Sequence, residues 1–181
     1  MDSSKFIIVE APNESKLTGK CIKVFIAGGI SNCPDWQTDL ISRLKKDKRL
    51  KNCGTVKILI FNPRRKNKPR VDETEAQVTW EFFNLNKSDI ISFWFSEGSL
   101  NPIVLFEYGR ILAAPNRWKK SVIVGCHEKY GRRTDVIIQT KLIEQSRFRH
   151  PEIEVKNTFE DFANELIESI VNHIIRHNFI T

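Results

Sequence analysis

"IKVFIAGGISNCPDWQTDLISRLKKD", residues 22–47, decides the fold. Its first seven residues form a nearly unbroken apolar run, the pattern of a strand buried on both faces in a parallel sheet. The run stops at Gly28-Gly29, which marks a tight exit. Pro34 then suits a first helical turn, and Asp35 suits the positive end of the helix dipole. Trp36, Leu40 and Leu44 recur every four residues and give that helix one buried face. Strand, glycine turn and helix together open an α/β unit.

Working outward, the same unit repeats. "TVKILIF" (55–61), "DIISFWF" (89–95) and "SVIVGC" (121–126) are further strands of the buried type. "FIIVE" (6–10) precedes them, and "IEV" (153–155) is a short strand candidate. Between them, "DETEAQVTWEFFNLNKSD" (72–89) carries Val78, Phe82 and Leu85 at helical spacing. "NPIVLFEYGRIL" (101–112) reads as a buried helix, with Asn101 and Pro102 as cap and first turn. "VIIQTKLIEQ" (136–145) is ambiguous between helix and strand. "TFEDFANELIESIVNHIIRHN" (158–178) closes the chain as an amphipathic helix with Thr158 as its cap. Alternating strands and helices argue for an α/β sandwich on a mostly parallel sheet. Ligands of such sheets bind beyond the carboxyl ends of the strands. Here those ends are Gly28–Ser31, Asn62–Arg65, Phe95–Asn101 and Cys126 onward, which are expected to converge.

Composition bounds the partners. The chain has 181 residues and a formal net charge of +7, which suits an anionic partner. Part of the excess sits in "RRKNKPR" (64–70), either a solvated loop or a phosphate-facing one. No apolar run approaches the roughly 20 residues of a spanning helix, and the first residues lack a signal-peptide pattern. Cys21, Cys33, Cys53 and Cys126 are scattered without a CxxC pair, so reduced thiols in a cytoplasmic setting are expected, with neither zinc nor disulfide framework.

Two acids at the expected ligand edge carry candidate chemistry. Glu107 stands among Ile103, Val104, Leu105, Phe106, Ile111 and Leu112, and acids are rarely left among apolar neighbours without a partner or a task. Glu81 sits between Trp80 and Phe82. Two carboxylates near one site are the usual equipment for glycosidic-bond chemistry. "AGGIS" lets a ligand approach the backbone, yet is neither GxGxxG nor a Walker loop. His173 and His177 lie four apart without an acidic third ligand nearby, and Cys126-His127 needs a base that sequence does not supply.

Four segments in order, "VFIAGGISNCPDWQ", "FNPRR", "WEFFNLNKSDIISFWF" and "NPIVLFEYGRIL", resemble the nucleoside 2-deoxyribosyltransferase-like proteins. The resemblance extends over about residues 22–175. It implies a flavodoxin-like three-layer sandwich with a mostly parallel five-stranded sheet, in one domain over 1–181 with an N-terminal extension (1–21). It implies cleavage or transfer at the N-glycosidic bond of a (deoxy)nucleoside or its 5′-monophosphate. The family's helical "E-[LY]-G" motif falls on Glu107-Tyr108-Gly109 and makes Glu107 the nucleophile. The family acid eight residues before the strand-opening aspartate, here Asp89, falls on Glu81; Asp89 itself reads as structural.

Gly28, Gly29, Ile30, Ser31, Asp35, Trp36, Asn62, Arg64 and Asn101 are the implied substrate contacts, with Arg64 or Arg65 suited to a 5′-phosphate. Two positions depart from the family. Asn101 stands where an aspartate holds the sugar, and Val24-Phe25 where the first strand carries a tyrosine. The resemblance also implies no cofactor or metal and a homo-oligomer. A non-catalytic nucleotide-binding or signalling module on the same fold is the alternative. A nucleic-acid binder using residues 64–70 ranks last, for want of interleaved aromatics.

Overall fold

The computed structural model describes residues 5–17, 19–65, 73–114, 117–146 and 153–179. Six parallel strands form one sheet: β1 (Phe6–Glu10), β2 (Cys21–Gly28), β3 (Lys57–Asn62), β4 (Ile90–Phe95), β5 (Ser121–Cys126) and β6 (Val155–Lys156). Their spatial order is β1-β3-β2-β4-β5-β6. Without β1, and counted from β2, the remaining five strands run 2-1-3-4-5, the order of flavodoxin-like sheets. The expected five strands become six because β1 adds an edge beside β3, in the register Phe6↔Ile58 to Glu10↔Asn62.

Buried strands alternate between two cores. In β2, Phe25 and Ala27 face one core and Ile22, Val24 and Ile26 the other. The period of two explains why both faces must be apolar. The second core is closed by α1 (Trp36–Lys46), α2 (Lys48–Asn52) and α6 (Phe159–Phe179). Leu40 and Leu44 of α1 are fully buried there, and Asp35 caps α1 by accepting from Thr38 N at 3.2 Å. Thr158 accepts from Asp161 N at 3.1 Å at the start of α6. The first core is closed by α3 (Thr74–Lys87), α4 (Pro102–Ala113) and α5 (Arg133–Gln145). The ambiguous segment 136–145 thus belongs to a helix, with Val136 and Thr140 on its buried side.

Two helices turn differently from the sequence expectation. On α3 the buried residues are Gln77, Trp80, Asn84 and Leu85, whereas Val78 and Phe82 are exposed. Polar residues take the inner face with their amide nitrogens hydrogen-bonded. Gln77 Nε2 donates to Pro63 O at 3.1 Å, and Asn84 Nδ2 to Trp80 O at 2.7 Å. On α4, Val104, Tyr108, Ile111 and Leu112 are buried, while Ile103 and Phe106 are 61% and 71% exposed. The helix is therefore amphipathic against one core rather than buried all round. Its rotation is set by Tyr108, whose ring packs 5.0 Å from that of Phe93 and whose hydroxyl shares a 2.6 Å hydrogen bond with Thr140. With Tyr108 turned to the sheet, Glu107 is carried round toward α3.

Candidate active site

The chain leaves β2 for β3 on one side and returns through α3 to β4 on the other, so the carboxyl ends of β2 and β4 flank a topological switch point. A cleft of about 310 Å³ opens there. Its floor is Phe25 and Ala27, and one wall is the turn Gly28–Ser31. Helix α3 contributes Gln77, Val78 and Glu81. Helix α4 and the loop before it contribute Ser99, Asn101, Ile103, Val104 and Glu107. The volume is at the lower end for sites that take small ligands.

Three of the four expected segments line this cleft; the fourth does not. Residues from Cys126 onward brace the loop before α4 instead. His127 N donates to Phe95 O at 2.9 Å, and Tyr130 Oη donates to Leu100 O at 2.6 Å. Cys126 is fully buried, and burial pushes its thiol up to about 11, which leaves no thiolate for nucleophilic chemistry near neutral pH.

Glu81 and Glu107 come from different helices to the same cleft, and both are half-buried. Burial is the main cause that lifts Glu107 to about 7. The charge of Glu81 adds to the lift, and Arg110 opposes it. Burial raises Glu81 too, against a hydrogen bond from Gln77 and the positive charge of Arg65. Both acids are thus displaced toward the protonated form, and the charge of Glu81 adds to the shift of Glu107.

The glycine turn is shaped by what crosses it. A Cβ on Gly28 would lie 2.4 Å from Trp36 Cζ2 and 2.5 Å from Trp94 O. A Cβ on Gly29 would lie 2.3 Å from Asn101 Oδ1. Asn101 holds the left-handed conformation (φ 48°) at the head of α4 and makes no capping hydrogen bond with its side chain. The expected cap is absent because that conformation sends the carboxamide across to Gly29. Asn101 is 6% exposed, and its Nδ2 has no hydrogen-bond partner among the described residues. A buried donor left open at a cleft wall is suited to an acceptor on a ligand. At Gly109 a Cβ would meet nothing within 4 Å, so close packing among the described residues does not explain that glycine.

Four expected contacts lie off the cleft. Trp36 Nε1 donates to Gly29 O at 3.0 Å from within the second core and supports the turn from behind. Asp35 caps α1 and pairs with Arg64 at 3.2 Å. Arg64 also donates to Gln37 Oε1 at 2.8 Å and Pro34 O at 3.1 Å. Asn62 Oδ1 accepts from Arg64 N at 3.0 Å. These side chains are occupied in fastening the β3 exit to α1. Of the basic stretch 64–70, residues 66–70 lie outside the described residues, as does the side chain of His177. Asp89 accepts from Lys23 N at 2.8 Å and so stitches β4 to β2.

Sequence reasoning missed Gln77. Its place four residues before Glu81, one turn away on the same helix, was the available signal. Among the described residues no group of three or more His, Cys, Asp or Glu could hold a metal, and no helix is long and apolar enough to cross a membrane.

The curated proteins contain no match to the sequence. A family model described as nucleoside 2-deoxyribosyltransferase like matches residues 21–130, which include β2, the glycine turn, α3 with Glu81 and α4 with Glu107. That span exceeds half of the chain and contains every residue of the cleft; the chain belongs to the nucleoside 2-deoxyribosyltransferase-like family.

Proposed function

We propose that this chain cleaves or transfers the N-glycosidic bond of a (deoxy)nucleoside or its 5′-monophosphate, with Glu107 as nucleophile and Glu81 as proton carrier. The observation that carries this is the meeting of two half-buried carboxylates, one from α3 and one from α4, in a cleft walled by the Gly28-Gly29 turn. A Glu107 oxygen attacks C1′ while the C1′–N bond breaks and its electron pair leaves with the base. Glu81 gives its proton to the departing base nitrogen. A second base or water then attacks C1′ of the covalent intermediate, Glu81 takes the proton, and the Glu107 carboxylate is restored. Two displacements retain the anomeric configuration.

Asn101 and the Gly28–Ser31 backbone hold the sugar in this scheme. A 5′-phosphate is served less directly than the sequence suggests. Arg64 is engaged by Asp35 and Gln37, and Arg65 pairs with Glu73 at 2.9 Å. Incubation with deoxynucleosides, ribonucleosides and their 5′-monophosphates, with and without an acceptor base, tests the function by chromatography of the products. Base release or exchange is expected; binding without turnover across the panel would instead establish a non-catalytic nucleotide-binding module.

A homo-oligomer is part of the proposal. Val78, Phe82 and Phe83 of α3, and Ile103 and Phe106 of α4, are exposed, and Val78 and Ile103 also line the cleft. An apolar face continuous with the cleft mouth is unusual on an isolated soluble chain. A second copy on this face would complete the cleft rim. Phe106→Lys is expected to lower the mass measured by analytical ultracentrifugation to that of one chain. A wild-type chain that sediments as a monomer would overturn this assembly.

A further inference from the structure

Resting on the roles assigned above to Glu81 and Glu107, we propose that Gln77 and Arg65 are positioning residues for the proton carrier. They hold Glu81 by Oε1 and leave Oε2 as the oxygen that gives the proton to the departing base and takes it from the arriving one.

Four side chains run in series from the β3 exit to the cleft. Glu73 Oε2 accepts from Arg65 Nη1 at 2.9 Å, Arg65 Nε donates to Gln77 Oε1 at 2.6 Å, and Gln77 Nε2 donates to Glu81 Oε1. The direction of this series is forced. A guanidinium only donates, so the atom of Gln77 facing Arg65 must be its carbonyl oxygen. The amide nitrogen therefore faces Glu81. The same nitrogen also donates to Pro63 O at 3.1 Å, which agrees with that assignment. Both of its hydrogens are thereby committed.

The consequence for Glu81 is specific. The carbonyl oxygen of a protonated carboxyl is a better acceptor than its hydroxyl oxygen, so the oxygen that accepts from Gln77 is favoured as the carbonyl. A proton on Glu81 is directed to Oε2. Since Gln77 and Glu81 both line the cleft, the acid meets the substrate with its proton already on one defined oxygen. Rotation about the terminal torsion of a free glutamate is broad, and fixing it removes that freedom before reaction. Gln77 is 9% exposed, so water competes little for its amide.

The consequence for chemistry is selective. Positioning of the proton matters where the base departs as an anion unless it is protonated. It matters little for an N7-methylated purine nucleoside, whose base already carries a positive charge and departs neutral. In the first case the Oε2–H bond breaks and the base N–H bond forms; in the second no proton moves with the C1′–N bond.

The test compares kcat/KM, which reads the steps through departure of the base and not the second displacement, for an unmodified purine nucleoside and its N7-methylated form. Gln77→Leu, close in size and without the donor, is expected to lose roughly tenfold or more on the unmodified substrate, a part of what general acid catalysis supplies. It is expected to stay within about twofold of wild type on the methylated one. Arg65→Lys, which keeps the charge and loses the planar Nε donor, is expected to show the same selectivity. It decides the matter if thermal unfolding shows that Gln77→Leu is not folded. Equal losses on both substrates overturn the proposal and reduce Gln77 to packing. Glu107→Gln, run beside them, separates the two levels. Its inactivity on both substrates together with equal losses for Gln77→Leu overturns only the positioning role. Full turnover by Glu107→Gln, or a wild-type chain inert on both, overturns the assigned chemistry and the positioning role with it.

Discussion

Glu107→Gln is expected to lower base release and base exchange by roughly 10³-fold or more while making the protein more stable at pH 8. The loss follows from removing the proposed nucleophile, because a carboxamide forms no glycosyl ester. The gain follows from the same burial that tunes the acid. In the folded chain Glu107 titrates at about 7, against 4.5 for an ordinary glutamate. Between those values the folded state binds more protons than the unfolded one, so stability falls as pH rises through the window. The interaction is fully present below about 4.5 and lost above about 7, where ionised Glu107 costs up to about 3 kcal/mol. Glutamine never ionises. The variant should therefore melt several degrees higher than wild type at pH 8, since about 1 kcal/mol moves a chain of this size by 2–4 °C. At pH 4.5 the two should melt alike. Retained activity would remove Glu107 from the mechanism, and lower stability at both pH values would show that the substitution damages the fold.

That trade places function and fold at odds at one residue, and it bears on how much of the molecule the sequence displays. The strands were legible because both faces of the sheet are covered. "IKVFIAG" and "DIISFWF" are apolar at nearly every position because their alternate residues serve two cores. Helix α1 was legible for a similar reason, since Trp36, Leu40 and Leu44 form one unambiguous stripe. Helix α3 misled because polar residues share its buried face with Trp80 and Leu85 while other apolar residues lie outside. Gln77 and Asn84 go inside on the strength of hydrogen bonds to Pro63 O and Trp80 O, which no periodicity announces. Val78 and Phe82 are thereby turned outward. The sixth strand escaped the expected count because edge pairing of β1 to β3 depends on a register found only in space.

The site divides in the same way. Glu107 and Glu81 could be picked out because an acid among large apolar residues is conspicuous, and the resemblance gave each a role. Asp35, Trp36, Asn62 and Arg64 stand in the same conspicuous segments, yet they fasten the turn and the β3 exit from behind. Sequence proximity to a ligand edge does not say which side of the backbone a side chain takes. Asn101 was singled out as a departure from the family. Its left-handed backbone, its place in the cleft wall and its buried, unpartnered Nδ2 became visible only with the fold.

The second large effect concerns pH. In the proposed scheme only ionised Glu107 attacks C1′, so kcat/KM is expected to rise with pH and level off above a midpoint of about 7. Below the midpoint it should fall about tenfold per pH unit, to roughly a hundredth of the plateau at pH 5. The N7-methylated purine nucleoside is the substrate of choice, because its departure does not draw on a proton from Glu81. Glu81→Gln then isolates the coupling between the acids. Burial, the first cause of the shift, remains in that variant, whereas the repulsion from the Glu81 carboxylate is gone. The midpoint should move down, though not to 4.5, and activity at pH 5 should rise relative to the plateau. A wild-type midpoint near 4.5 would mean that the cleft does not hold Glu107 as described. An unmoved midpoint in Glu81→Gln would mean that the two carboxylates do not sense each other. If both shifts appear, the pair titrates as a unit with the proton shared between α3 and α4. The chemistry then requires that proton to reside on Glu81 when Glu107 attacks, and the hydrogen bond from Gln77, which favours ionised Glu81, sets how far the resting enzyme stands from that state.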